Sequence, residues 1–201
     1  MKVNIIINGH ALSGYTNIDP HGFGDDSKVL GDVSNIDEHV ENSEAREILA
    51  HDVINFLPYE QIDSVISDWV KKLRHGGKIV IGGKDLWHLC KAYSQKLVST
   101  EQFNSALFGE QSHSGDYRLS HITMPELAMK LEALGLKVVK KRVNGYEMVV
   151  EAIRPSQKKQ TKFTKRFTHL VLIAFLQSTM KKLKQDAPLT EWKSSGLLAA
   201  K

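Results

Sequence analysis

The chain is poor in several things, and each shortage excludes something. It holds one cysteine, Cys90, among 201 residues. No disulfide can form within it, which fits a reducing compartment, so the expected location is cytoplasmic. No stretch reaches the roughly 18 apolar residues of a membrane span. The longest candidate, "FTHLVLIAFL" at 167–176, is too short and contains Thr168 and His169. The opening "MKVNIIINGHALSG" has one lysine and a short apolar run. It lacks the longer apolar region and cleavage site of a signal peptide, so it reads as a strand. Acidic residues are scarce at one end only. Residues 156–201 carry ten Lys/Arg against two Asp/Glu, a net of +8, whereas 1–155 carry a net of −4. The basic balance thus belongs to the tail, and the acidic body gives no strong nucleic-acid signal.

What is present suits one domain with an appendage, since 41% hydrophobic content can build an ordinary core. "VNIII" (3–7) is a short β-branched run, as in a buried parallel strand. "YTNID" (15–19), "KVLGDV" (28–33), "AREILAHDV" (45–53) and "KIVI" (78–81) read as further strands. After Pro58, apolar residues at Ile62, Val65, Ile66, Trp69, Val70 and Leu73 share one helical face, which assigns Trp69 to the core. Gly76-Gly77 reads as the cap and turn ending that helix. Residues 85–98 form a second helix with Asp85 at its N-cap. A polar loop over 108–123 follows, then a helix over 124–135 with Thr123 as N-cap, Glu126 three residues on and Gly135 as C-cap. "LKVVKKRV" and "YEMVVEAI" form a hairpin joined at Asn144-Gly145. Composition changes after Pro155, so the domain is expected at 1–155 and a separate tail at 156–201. Strands alternating with helices imply a mostly parallel α/β sheet with helices on its faces, and the last strand antiparallel.

Several pieces line up in one order. They are "GYTNID" (14–19), "GDV" (31–33), "ILAHDVINFLP" (48–58), "WVKKLRHGGKIVIGGKDL" (69–86) and the Gly109–Thr123 segment. This set resembles the class I S-adenosylmethionine-dependent methyltransferases, most closely their small type 11 members. Those carry "GYxNIDxxP", "GD" plus an apolar residue, and "WxxxLKPGGKLVIxxPDL" in the same order. The resemblance spans roughly residues 3–155 and implies a Rossmann-like methyltransferase sheet and S-adenosylmethionine as cofactor. The first loop, "NGHALSG", departs from the pattern. Gly9 and Gly14 remain, but His10 stands where the family has a small residue, so the glycine-rich loop is degenerate.

The resemblance also implies roles. Asn8 and Gly9 would cradle the methionine part of the cofactor. Asp19, at the end of the second strand, lies where a carboxylate at the crevice can accept ribose hydroxyls, although Asp19-Pro20 alone also reads as a turn start. Asp32 and Val33 would meet the adenine. His51 and Asp52, after the fourth strand, would face cofactor and substrate, and with His113 they are the candidate catalytic groups. Asp116 and His121 are further candidate bases, since methyl transfer needs alignment and, for some acceptors, proton removal. The spacing of His113, Asp116 and His121 matches no metal-ligand pattern, so no metal is expected.

In the tail, Phe163, Phe167, Leu170 and Ala174 share a helical face flanked by basic clusters. This is a basic amphipathic helix suited to packing on the domain, to self-association or to peripheral contact with an anionic membrane. The expected function is methyl transfer to a small polar acceptor such as a sugar or glycan intermediate. The alternative is an inactive methyltransferase-like binding or assembly module that uses its basic tail.

Overall fold

The computed structural model describes residues 1–7, 9–21, 28–113 and 115–156. The chain divides into two units, Met1–Gln157 and Lys158–Lys201, and the sheet with its helices belongs to the first. The helical tail expected at 156–201 lies almost wholly outside the described residues, as does Asn8.

Seven strands make one sheet. They are β1 (Lys2–Ile5), β2 (Thr16–Asp19), β3 (Lys28–Leu30), β4 (Ala45–His51), β5 (Leu73–Lys84), β6 (Lys137–Asn144) and β7 (Glu147–Ile153). The helices are α1 (Ile62–Lys72), α2 (Leu86–Ser94), α3 (Thr100–Phe108) and α4 (Met124–Ala133). The order across the sheet is β3-β2-β1-β4-β5-β7-β6. The first five strands run parallel, and β7 pairs antiparallel with β5 and β6. The chain order therefore reverses between β1 and β4, which opens a crevice at the C-terminal ends of these strands.

The two faces of the sheet differ. In β4, Ala45, Ile48 and Ala50 are buried while Glu47 and Leu49 are half-exposed and His51 is exposed. β7 alternates in the same way. Among the described residues such alternation marks a sheet packed on one side, because a parallel sheet covered on both sides reads as continuous apolar runs. Val3, Ile5, Ile48, Ile79, Ile81 and Val150 form the packed face. The main core cluster also takes Val65, Ile66 and Trp69 from α1, Leu127 and Leu131 from α4, and Val33, Ile36 and Val40 from the β3–β4 connection. Trp69, fully buried, donates its indole N–H to the Val33 carbonyl at 3.0 Å. Leu89 of α2 and Ala106 of α3 are buried outside this cluster. Helices distributed over both faces were the expectation. Instead, the described helices that reach the main core do so on one face.

The other face carries a cross-strand charge row. Glu47 takes Lys78 at 2.8 Å and Lys2 at 3.4 Å. The Lys78 bond, with the Lys2 contact, outweighs burial and lowers the Glu47 carboxyl below its ordinary value. Nearer the crevice, Asn4 and Asn17 lie opposite in register, and the Asn4 amide donates to Asn17 Oδ1 at 2.9 Å. Asn17 also accepts from Leu12 N–H at 2.8 Å and donates to the Leu12 carbonyl at 3.2 Å. Two buried amides thus fold the β1–β2 connection back onto the sheet, and among its described residues no helix is needed to satisfy its backbone.

Three local expectations change. Gly76-Gly77 does not cap α1, which ends at Lys72. It lies inside β5, where the register slips against β4, and pairs with the chain after β7 through Gly76 N–H to Arg154 O and Arg154 N–H to Gly77 O. A Cβ on Gly77 would sit 2.8 Å from Arg74 O and 3.0 Å from Ala45 O, so the backbone approaches too closely for a side chain. Thr123 makes no side-chain cap to α4. The Met124 N–H is taken by the buried Asp85, which also caps α2 through the His88 N–H. Finally, the β6–β7 turn holds Gly145-Tyr146, with Asn144 already paired to Glu147. Among the described residues no helix is long and apolar enough to cross a membrane.

Candidate functional site

The crevice has two ends, each built round an aspartate and a cation. At the β2 end, Asp19 is the last residue of its strand and only 1% exposed. Its Oδ1 accepts the His21 backbone N–H at 2.9 Å, and its Oδ2 takes the Lys28 ammonium at 2.9 Å. Lys28 opens β3, and its ammonium also reaches the Gly9 carbonyl at 3.2 Å. The lysine therefore ties the loop after β1 to the ends of β2 and β3. Gly9 lies against Ile6, whose Cγ2 a Cβ would meet at 2.8 Å. Asp32 is exposed, and its carboxylate closes a local turn by accepting from Ser34 N–H and Oγ. Val33 is buried with its carbonyl engaged by Trp69.

At the β4–β5 end lies a cavity of about 540 Å³. Ile7 and Gly9 border it on one side, His51, Asp52 and Lys84 at the strand ends, Gln102 and Ser105 from α3, and His113, Asp116 and Arg118 from the loop before α4. Asp52 has a left-handed backbone, φ 56°, which an aspartate tolerates better than most residues. Arg118 grips it with two parallel bonds, at 2.6 and 2.7 Å, and lies over the Phe56 ring at 4.7 Å. Burial pushes the Asp52 carboxyl up, but the Arg118 hydrogen bonds and charge, with smaller pulls from Lys84 and His51, hold it below the ordinary value. A carboxylate so held is a weak proton acceptor and a strong anchor. His51 is exposed at the end of β4 and borders the cavity. Its ring lies over Gly82, where a Cβ would approach within 2.7 Å.

His113 also borders the cavity, and its ring meets that of His21 edge-on at 5.7 Å, bringing the two ends of the crevice together. Asp116 is buried and accepts from Ser112 N–H and Oγ. His121 turns away from the cavity and bonds the Leu107 carbonyl at 2.6 Å. Burial lowers its pKa, against the opposing pull of that carbonyl. The sequence candidates thus separate. His51, Asp52, His113 and Asp116 gather at one cavity with Gly9, Asp19 lies with Lys28 beside it, and Asp32 and His121 do not border it.

Sequence reasoning missed four contributors. Lys28 gives no signal, because its role depends on β2 and β3 lying side by side. Arg118 gives none either, because the residue it holds, Asp52, lies 66 residues away in the chain. Asn55, wholly buried, accepts from Lys84 N–H through Oδ1 and from Leu119 and Ser120 N–H through its carbonyl, so it fastens the cavity loop to β5. A Cβ on Gly83 would lie 2.4 Å from Asn55 Oδ1, which explains the second glycine of that pair. The fourth is α3 itself. Ser99 and Gln102 form a capping box that could have revealed it.

No family profile matches the chain, and no curated protein does. Solved structures do. The chain superposes with a TM-score of 0.52 and 7% identity on a chain of the complex between the Haloferax volcanii Trm112 methyltransferase activator and the putative methyltransferase, covering 79% of this chain and 84% of that one. An O-methyltransferase family protein from Burkholderia thailandensis gives 0.49 at 13% identity, over 78% of this chain and 52% of that one. The chain thus spans about half the length of the Burkholderia protein. The 1,6-didemethyltoxoflavin-N1-methyltransferase of the same organism, with bound 1,6-didemethyltoxoflavin and S-adenosylhomocysteine, gives 0.47 at 13% identity, over 77% and 72%. At these identities the likeness is one of fold, a Rossmann-like, mostly parallel sheet with an antiparallel β7.

Proposed function

We propose that the chain binds S-adenosylmethionine at the C-terminal ends of β1 and β2 and transfers its methyl group to a small polar acceptor in the adjoining cavity. The observation that carries this reading is the buried carboxylate of Asp19 at the end of β2, next to a polar cavity at the ends of β4 and β5. These residues fit the cofactor. Asp19 offers an acceptor for ribose hydroxyls, and Gly9 follows β1 on the side assigned to the methionine part, where the sequence also assigns Asn8. Asp32 and Val33 follow β3, on the adenine side. When bound, the cofactor supplies an activated methyl on a sulfonium. The chain's part is to align the acceptor and take its proton. His51 and His113 are the groups assigned to the proton. Asp52, held as a carboxylate by Arg118, positions the loop that bears His113. The carboxylates and histidines round the cavity can hydrogen-bond hydroxyls, which supports a sugar or glycan intermediate as acceptor.

Calorimetric titration with S-adenosylmethionine and S-adenosylhomocysteine tests this. Binding is expected, and Asp19→Ala should abolish it. No heat at millimolar ligand would overturn the enzyme reading in favour of an inactive binding or assembly module. The Lys28–Asp19 contact is the observation that favours this second reading, because it engages the ribose acceptor. For 156–201 the sequence supports self-association or peripheral membrane contact. Sedimentation with and without anionic vesicles, on the full chain and on one ending at residue 156, separates the two.

A further inference from the structure

Lys28 does more than neutralise a buried acid. Its side chain is 8% exposed and that of Asp19 2%, so water has little share in the contact. Asp19 Oδ1 already accepts the His21 N–H, and the ammonium takes Oδ2. The same ammonium holds the Gly9 carbonyl. One flexible side chain therefore closes three segments round the place where a nucleoside would sit. A buried carboxylate with no such partner would be costly, which accounts for the lysine in the ligand-free chain. A lysine is also the cation best able to let go. It is a single point charge on a long stem, with three donors that can be re-aimed, unlike the planar fork of an arginine.

We propose that Lys28 is a built-in occupant of the nucleoside subsite: its ammonium takes the Asp19 oxygen that a ribose diol would take, and ligand binding exchanges one for the other. This rests on the cofactor reading above and deepens it. Apparent affinity is then the intrinsic affinity multiplied by the fraction of chains in which Lys28 has released Asp19. If that fraction is about 1–10%, binding is about 10- to 100-fold weaker than the subsite allows. Released, the ammonium keeps the Gly9 carbonyl as a partner, so exchange need not open the loop after β1. The lysine thus sets a threshold on cofactor concentration.

The test is calorimetric titration of the full chain with S-adenosylhomocysteine, wild type against Lys28→Met, with thermal unfolding of each in the absence of ligand. Lys28→Met should bind at least about tenfold tighter and should unfold at a lower temperature without ligand, since Asp19 has lost its cation. If the wild type binds and Lys28→Met binds equally or more weakly, the lysine is not a competitor and the proposal falls while the cofactor reading stands. If neither form binds at millimolar ligand, the cofactor reading and this proposal fall together. Should Lys28→Met not fold, Lys28→Gln keeps a donor without the charge. It should still bind more tightly than the wild type, and an affinity no better than wild type would overturn the proposal.

Discussion

Asp19 with Lys28 and Asp52 with Arg118 are two versions of one device, a strand-end aspartate held by a cation from a later segment. They differ in burial and in geometry. The Asp19 side chain is 2% exposed and its cation makes one bond to it. The Asp52 side chain is 28% exposed, and its cation makes two bonds while lying on Phe56. A bidentate, stacked arginine fixes a geometry, whereas a lysine neutralises a charge and can leave. The β4–β5 end of the crevice is therefore built to stay in place and the β2 end to exchange partners. That division suits a site in which an acceptor pocket must be rigid while a nucleoside enters and leaves.

The largest expected effect separates the two aspartates by stability. Asp19→Ala strands an ammonium that is almost fully buried, at a cost of about 3 kcal/mol. Urea denaturation of the ligand-free chain measures it. A cost below that of Asp52→Ala would reverse the comparison, because the more buried pair would then be the weaker one.

Next comes Gly83→Ala, which probes how rigid the β4–β5 end is. The new methyl would meet Asn55 Oδ1 at 2.4 Å and Ile54 Cγ2 at 3.3 Å. Asn55 is wholly buried and holds both β5 and the cavity loop, so it has no empty space to move into. Overpacking of this kind costs about 2 kcal/mol. Faster proteolysis within 109–121 should accompany it. A variant as stable as the wild type, with an unaltered loop, would mean that Asn55 is free to shift.

Asp52→Ala should cost less, about 1 kcal/mol, because the aspartate is partly solvated and Arg118, although only 9% exposed, keeps its contact with Phe56. Its main effect belongs to the loop, read as faster amide exchange at Arg118 and its neighbours. Amide exchange unchanged there would show that Asn55 alone positions the loop.

Whether a feature is legible in the sequence depends on the range over which it acts. The strands are legible because β-branched runs such as Val3–Ile7 and Lys78–Ile81 are local signals, and α1 because its apolar positions recur at helical spacing. The resemblance supplies the Rossmann-like type of the sheet and the place of Asp19 at the end of the second strand, but not the order of the strands. β5 is longer than expected because Gly76-Gly77 signals a break locally, yet sits where two backbones nearly touch. α3 escapes because Phe103 and Ala106 make too thin an apolar stripe. The one-sided core cannot be read from the number of helices, only from the alternation within β4 and β7. Lys28, Arg118 and Asn55 act across 9, 66 and 65 residues of chain. No periodicity encodes contacts of that span, so the partners in the site had to come from the structure.

The smallest expected effect is a pH dependence, and its sign is set by Asp52. Arg118 holds the folded-state carboxyl below its ordinary value, and in the unfolded chain an aspartate titrates near about 3.9. The unfolded state therefore binds the proton first as pH falls, and protonation favours unfolding. The stabilisation is fully present above the unfolded value and is lost as pH falls through the lower folded one. The stability gap between the wild type and Asp52→Asn should hold constant from about pH 7 to 5 and shrink below about pH 4. Because the pair is partly exposed, the whole change should stay under about 1 kcal/mol and diminish further in high salt. A gap that stays constant down to about pH 3, or widens, would mean that the arginine contributes shape and no charge to this end of the crevice. The rigidity ascribed to it would then rest on Phe56 and Asn55.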